Sequence, residues 1–250
     1  MRHPLELVFI RGVVEEIEPI TSRMRRIRIA SGQLRDVHWS PGQHVRLTVT
    51  PPTRWLRDPR DARRSYSVWH LDREHGNLDL CVLDHGEGPG AQWAKTAYVG
   101  RPVTMSRPEG RLTLREAPYH LFAGDETAAV AFGAMLRALP ADAAVHGVLE
   151  TDAPDGEVPL PRPHRLPWIH RGDDDADAET ENARPAAAER TPLVEAVRAL
   201  RLPRRPGIAY LAGHASDCQA VQRHLLHERG WSRRDIVVKP FWAPGKRGLE

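Results

Sequence analysis

With 250 residues, 40% of them hydrophobic and 28% charged, the chain is long enough for one large domain or two smaller ones with their own cores, which excludes a small stapled scaffold. Lysine plus arginine exceeds aspartate plus glutamate only by 36 to 33, an excess too small and too dispersed to make nucleic acid the expected partner. The two cysteines, Cys81 and Cys218, form no closely spaced pair, so neither a disulfide framework nor a thiolate metal centre is indicated, and a reducing cytoplasm is the expected location.

The N-terminal residues alternate apolar and charged side chains without the apolar run of a signal peptide, and no stretch has the length of a bilayer span, so no membrane insertion is expected. Strand character, with period-two alternation or β-branched residues, runs over Leu7 to Ile17, Met24 to Ala30, Gln43 to Val49, Ser65 to His70, Leu78 to Leu83 and Pro102 to Ser106. Ser-Gly, Pro-Gly, Pro-Pro and His-Gly pairs punctuate these segments. Six short strands predict a small antiparallel β-barrel over residues 1–117.

Two segments of this first part bear groups suited to a ligand. Arg54, Arg57 and Arg60 lead into Arg63-Arg64-Ser65-Tyr66-Ser67, where a guanidinium fork, a flat ring and a hydroxyl follow one another along one strand. Such a set suits a planar phosphorylated cofactor; an arginine-rich loop entering an ordinary strand is the alternative. Asp84-His85-Gly86-Glu87-Gly88-Pro89-Gly90 then precedes a short helical stretch, Ala91 to Thr96, that contains Trp93. Closely spaced glycines allow close backbone approach to a ligand, although a glycine-rich hairpin turn has the same composition.

After residue 118 the rhythm changes to alternating strands and helices, which predicts a parallel sheet in an α/β domain over residues 118–250. The strands are expected at Tyr119 to Ala123, Ala143 to Glu150 and Gly207 to Ala212, and the helices at Ala128 to Leu139, Leu193 to Leu200 and Cys218 to Arg229. Thr191-Pro192 supplies a cap and a first-turn proline. Gly124-Asp125-Glu126-Thr127 sits at the end of the first of these strands, where open α/β sheets place ligands; its acids equally suit a helix cap and disfavour phosphate.

Residues 152–190, rich in proline, acids and alanine, are expected to form a flexible acidic surface insertion. His224 and His227 share a helix face without a third ligand, so no metal site is expected. The tail Lys239 to Gly248 joins Phe241 and Trp242 to Lys246 and Arg247, suiting either ring stacking or an edge strand with a solubilising end.

The order RSYS, DHGEGPGAQWA, a Pro-Glu-Gly turn, AGDETA, AYLAGHA and PFWAPGKRG resembles the siderophore-interacting protein family, FAD-dependent ferric-siderophore reductases within the ferredoxin-reductase-like superfamily. The resemblance spans nearly the whole chain and implies an FAD-binding barrel followed by a ferredoxin-NADP reductase-like α/β domain. It implies that Arg64 meets the FAD pyrophosphate, that Tyr66 stacks on the isoalloxazine ring, and that Ser67, beside Ser65, hydrogen-bonds near the flavin N5. Asp84, His85, Gly86, Gly88, Pro89 and Trp93 are implied to hold the pyrophosphate and adenosine end. Asp125 and Thr127 are implied to lie beside the flavin, with Phe241 and Trp242 bordering that cleft. The chain departs from the family pattern as Gly213-His214, where many members have Gly-Glu, and at Trp69, where many have a basic residue.

The expected function is therefore reduction of ferric siderophores by bound FAD, releasing Fe(II), with no catalytic side chain because the flavin carries the chemistry. NADPH or NADH is the expected donor and ferredoxin a possible one. Arg54, Arg57, Lys246, Arg247 and Trp242 are the expected substrate-binding residues, by attraction for an anionic iron complex. A monomer is expected. Two readings compete with this one, a general flavin or electron-transfer reductase of the same superfamily and a siderophore carrier without enzymatic activity.

Overall fold

The computed structural model describes residues 9–50, 63–84, 88–161, 166–171 and 191–244. The chain divides into two units, Met1–Thr113 and Leu114–Glu250.

The first unit is a closed antiparallel barrel of six strands in the order β1-β2-β5-β4-β3-β6. Its strands are β1 (Phe9–Pro19), β2 (Met24–Ala30), β3 (His44–Thr48), β4 (Arg63–Asp72), β5 (Asn77–Leu83) and β6 (Pro102–Ser106), six where the alternation in the sequence places six. β1 closes the barrel because it is long enough to serve two neighbours. Phe9 to Val13 pair with β6 and Val13 to Pro19 with β2, and a register shift between Val14 and Glu16 bends the strand. Gly12 sits at that crossing, where a Cβ would lie 2.7 Å from the Ala30 carbonyl oxygen, so a larger residue would wedge the two strands apart.

Alternate residues Ile10, Ile27, Ile29, Val45, Leu47, Val68, Leu78, Leu80 and Met105 fill the interior. On the β2–β5 pair, Arg26 and Arg28 both donate to the buried Asp79 carboxylate, with Glu16 and Glu18 completing the ladder. Two guanidinium forks make the burial of Asp79 tolerable. A short helix, α1 (Pro89–Lys95), rests its Trp93 in the barrel core.

The second unit carries a five-stranded sheet in the order β11-β10-β7-β8-β9, formed by β7 (His120–Asp125), β8 (Val145–Thr151), β9 (Trp168–His170), β10 (Ile208–His214) and β11 (Ile236–Trp242). All four pairings are parallel. Helices α2 (Glu126–Ala138), α3 (Pro192–Ala199) and α4 (Ala215–His227) make the crossovers. β7 is buried at every position, as a central strand covered on both faces must be. This is the ferredoxin-reductase-like arrangement that the resemblance implies, an antiparallel barrel followed by a parallel α/β unit.

Two elements differ from their sequence-based expectations, and for a third the structure selects between the alternatives left open. The flexible insertion expected at 152–190 is contradicted at residues 152–161, where Pro154–Gly156 forms a short 3-10 turn and Val158 is buried, and at 166–171, where Trp168–His170 pairs with Leu149 to Thr151 as the outermost strand and Arg171 turns into the interior; its other residues lie outside the described residues. Composition hides a three-residue strand whose register is set by its neighbour. The tail takes the edge-strand alternative, β11 running through Phe241 and Trp242. Pro240 within it is tolerated at an edge, where a missing N–H costs no ladder bond. Helix α4 begins at Ala215, a turn earlier than expected. Among the described residues, no helix is long and apolar enough to cross a membrane.

Candidate functional site

In the barrel, β4 and the start of α1 bring the two candidate flavin segments together. An ideal Cβ on Gly90 would lie 2.6 Å from the Tyr66 hydroxyl oxygen and 3.3 Å from Arg64 Cγ, so the glycine is what lets α1 close on that strand face. The Tyr66 and Trp93 rings are 6.1 Å apart and tilted by 38°. Strand alternation puts Arg64 and Tyr66 on one face and Ser65 and Ser67 on the other. Burial pushes the Tyr66 phenol above its ordinary pKa, so it stays neutral and serves as a flat apolar surface with a hydroxyl at its end. Gly88 caps α1 without a side chain, and among the described residues nothing lies within 4 Å of where its Cβ would stand.

The other residues of that set behave differently from one another. Trp93 is 3% exposed, belongs to the barrel core, and has the Arg101 guanidinium 5.6 Å from its ring centroid. It therefore seats α1 by packing, and the face expected for an adenosine contact is closed. Asp84 ion-pairs with Lys95 at 3.2 Å, tying the end of β5 to α1. Pro89 holds the first helical position, where its missing N–H costs nothing. His85 and Gly86 lie outside the described residues, as do Arg54, Arg57, Arg60, Lys246 and Arg247. Replacing Gly90 by alanine is expected to push Tyr66 and Arg64 off their positions and to weaken FAD binding about tenfold or more, as an overpacked contact does. Fluorescence titration of the apoprotein with FAD checks this, and an unchanged affinity would separate the helix from the site.

In the second unit, the C-terminal ends of β7, β10 and β11 meet at Asp125. Its Oδ1 accepts the N–H groups of Thr127 (2.9 Å) and Ala128 (3.1 Å) and the Thr127 hydroxyl, capping α2. Its Oδ2 accepts the His214 N–H and the Trp242 indole N–H, each at 2.8 Å. Trp242, expected as a substrate residue, is thus fixed by a buried carboxylate, and its ring meets the His214 imidazole edge-on at 4.5 Å. His214 Nδ1 lies 2.8 Å from Ser216 Oγ and 3.3 Å from an Asp217 oxygen. The Gly213-His214 departure is therefore the centre of a polar knot. Nothing in the sequence marks Asp217 or Ser216 as its members, since their partners come from the strand end beside them.

Beside the knot, Glu126 receives two bonds from the Arg171 guanidinium, at 2.9 and 3.0 Å, while the same guanidinium reaches Asp152 at 2.6 Å and Glu150 at 3.6 Å. One buried cation faces several acids. Desolvation first, and the neighbouring Asp125 charge second, push the Glu126 carboxyl up to about 7 against the pull of Arg171. A raised carboxyl favours the folded state while it holds a proton the unfolded chain has released, and that advantage is lost as pH rises from the ordinary 4.5 to about 7. The stability of the natural protein relative to Glu126→Gln is therefore expected to fall between pH 5 and pH 8, which urea unfolding at several pH values checks; a pH-independent difference would refute the buried proton.

His224 is settled by its neighbours. Its Nε2 accepts from Arg229 Nε at 3.0 Å and its Nδ1 lies 2.9 Å from Glu228, while burial holds its pKa below the ordinary value. Among the described residues, no group of three His, Cys, Asp or Glu side chains is placed to hold a metal ion.

Comparison with known proteins agrees with this architecture. Residues 13–112 match the family model described as siderophore-interacting FAD-binding domain, and residues 117–245 the one described as siderophore-interacting protein. An uncharacterised protein of Mycobacterium tuberculosis is 33% identical over 189 residues, 74% of this chain and 63% of the relative. The ferric vibriobactin reductase ViuB of Vibrio cholerae is 28% identical over 190 residues, 73% of this chain and 65% of ViuB. The matched region thus spans under two thirds of these curated relatives. The crystal structure of a siderophore utilization protein from T. fusca shares the fold with a TM-score of 0.78 at 24% identity, over 97% of this chain and 95% of that one. With both of its units matched, the chain belongs to the siderophore-interacting protein family, and its barrel is an FAD-binding domain of that family.

Proposed function

We propose that the protein is an FAD-dependent reductase of ferric siderophores. The observation that carries this reading is the convergence of Arg64, Tyr66 and Gly90 on one place of a barrel whose family binds FAD. The reductase activity in the name of the ViuB relative supports it further. In this reading the Arg64 guanidinium pairs with the pyrophosphate, the Tyr66 ring supports the isoalloxazine face, and the main chain at Gly88 admits the phosphates closely. Ser65, Ser67, Asp84, His85, Gly86 and Pro89 surround that cofactor and Trp93 supports it by seating α1, while Asp125 and Thr127 belong to the second unit's own polar knot.

Bound FAD supplies the conversion of a two-electron donor's equivalents into single electrons. One electron takes Fe(III) to Fe(II), and hard anionic oxygen ligands hold Fe(II) far less tightly, so the iron is released without a covalent step or a protein acid–base pair. Arg54, Arg57, Lys246 and Arg247 attract an anionic iron complex, and NADPH, NADH or reduced ferredoxin provides the electrons, with cytoplasmic release of the iron.

The purified protein should be yellow and show flavin absorbance. Anaerobic bleaching by NADPH, NADH or reduced ferredoxin in turn, followed by reoxidation with ferric siderophores, a dye or free flavin, tests the reading. Faster reoxidation by ferric siderophores supports it. A colourless protein after reconstitution, or equal rates with every acceptor, would overturn it.

A further inference from the structure

Parallel α/β domains that bind dinucleotides hold the pyrophosphate at the turn between the first strand and its helix, where free N–H groups point at the anion and glycines admit it. In this chain that turn joins β7 to α2, and it is already filled from within. The Asp125 carboxylate receives five donors from three places: Thr127 N–H, Ala128 N–H and the Thr127 hydroxyl at the start of α2, the His214 N–H at the end of β10, and the Trp242 indole N–H on β11. An anion's oxygens at such a turn would seek these donors.

The glycines tell the same story. A Cβ on Gly124 would lie 2.3 Å from the Ala212 carbonyl oxygen and 2.6 Å from Ala128 Cβ, and one on Gly213 would lie 2.5 Å from the Asp125 carboxylate. Both absent side chains make room for the protein's own atoms. Charge acts in the same direction. Glu126 adjoins Asp125, Asp217 lies across the knot, and the buried Arg171 is shared among Glu126, Glu150 and Asp152.

We infer that Asp125 is a built-in anion that occupies the pyrophosphate position of this unit, so the protein's reductant is recognised without its adenylate half. The selectivity consequence rests on the reductase reading; the closure of the turn rests on the side chains alone. A donor offering only a reduced nicotinamide ring then serves as well as the whole dinucleotide, and the 2′-phosphate that separates NADPH from NADH has no partner at this turn.

Two measurements on the FAD-loaded protein test this. In anaerobic stopped-flow reduction, NADPH, NADH and reduced nicotinamide mononucleotide should show dissociation constants within about threefold of one another, whereas a pyrophosphate held by charge-assisted bonds would separate the mononucleotide by about a hundredfold. In the second, ADP-ribose is titrated into ¹⁵N-labelled protein, and the amides of Thr127, Ala128 and His214 should not move. Saturable shifts of those amides would overturn the inference, as would a mononucleotide bound more than about tenfold more weakly than NADPH. Asp125→Ser keeps a capping hydroxyl but removes the charge; folded variant protein should gain an amide response to ADP-ribose, and a folded variant that stays silent would count against the carboxylate as the excluding group. Should the protein bind no FAD or accept electrons from none of these donors, the reductase reading falls, while the ADP-ribose titration still reports on the turn.

Discussion

Replacing Asp125 by alanine is expected to lower the free energy of unfolding by about 3–7 kcal/mol, from loss of a helix cap worth about 1 kcal/mol and the stranding of two donors, one buried and one half-buried, at about 1–3 kcal/mol each. Those donors, the His214 N–H and the Trp242 indole N–H, lie on different strands from the cap, so one carboxylate joins α2 to β10 and β11. Urea unfolding followed by far-UV circular dichroism measures the change. Asparagine at this position keeps one acceptor oxygen and should cost less than alanine. A loss for alanine under about 1 kcal/mol would mean that water replaces the carboxylate and that the knot is not buried as described.

Arg171→Met is the second large effect. The Arg171 side chain is 6% exposed, and its removal leaves Glu126 and Glu150 in the interior without their countercharge. Breaking a buried ion pair from one side costs about 3–5 kcal/mol. Glu126, already pushed up to about 7 by desolvation, relieves that cost by holding its proton, and loss of the guanidinium moves its pKa further upward. The penalty is therefore largest at pH 8 and shrinks as pH falls toward 5. Unfolding at both pH values checks the sign, and adding Glu126→Gln to Arg171→Met should recover part of the loss at pH 8. A penalty that grows on acidification would refute the account.

The two units were legible to different depths. Alternation alone placed the barrel strands, because a strand with one face in a core repeats every second residue, as Ile27, Ile29 and their neighbours in β2 do. The central strands of the sheet were legible as short apolar runs. β9 was not, because Trp168-Ile169-His170 carries no pattern long enough to read and exists only by pairing with β8. The flavin segments were recognisable from the order of their motifs, while the contact of Gly90 with Tyr66 required the fold to bring residues 24 positions apart to within van der Waals range.

The knot at Asp125 marks the limit most clearly. Its helix cap was readable, since Asp125 and the N–H groups it accepts are near in sequence and local bonds need no tertiary structure. Its attachment to His214 and Trp242 spans 89 and 117 positions, and no local rule reaches that far. The sequence by itself determined the class of each unit, the barrel strands, the central sheet strands and the family, because these follow from periodicity, capping and motif order. Only the tertiary structure decided which carboxylate faces which donor and whether the sheet's ligand end is open, because burial and pairing depend on neighbours that the chain supplies from elsewhere.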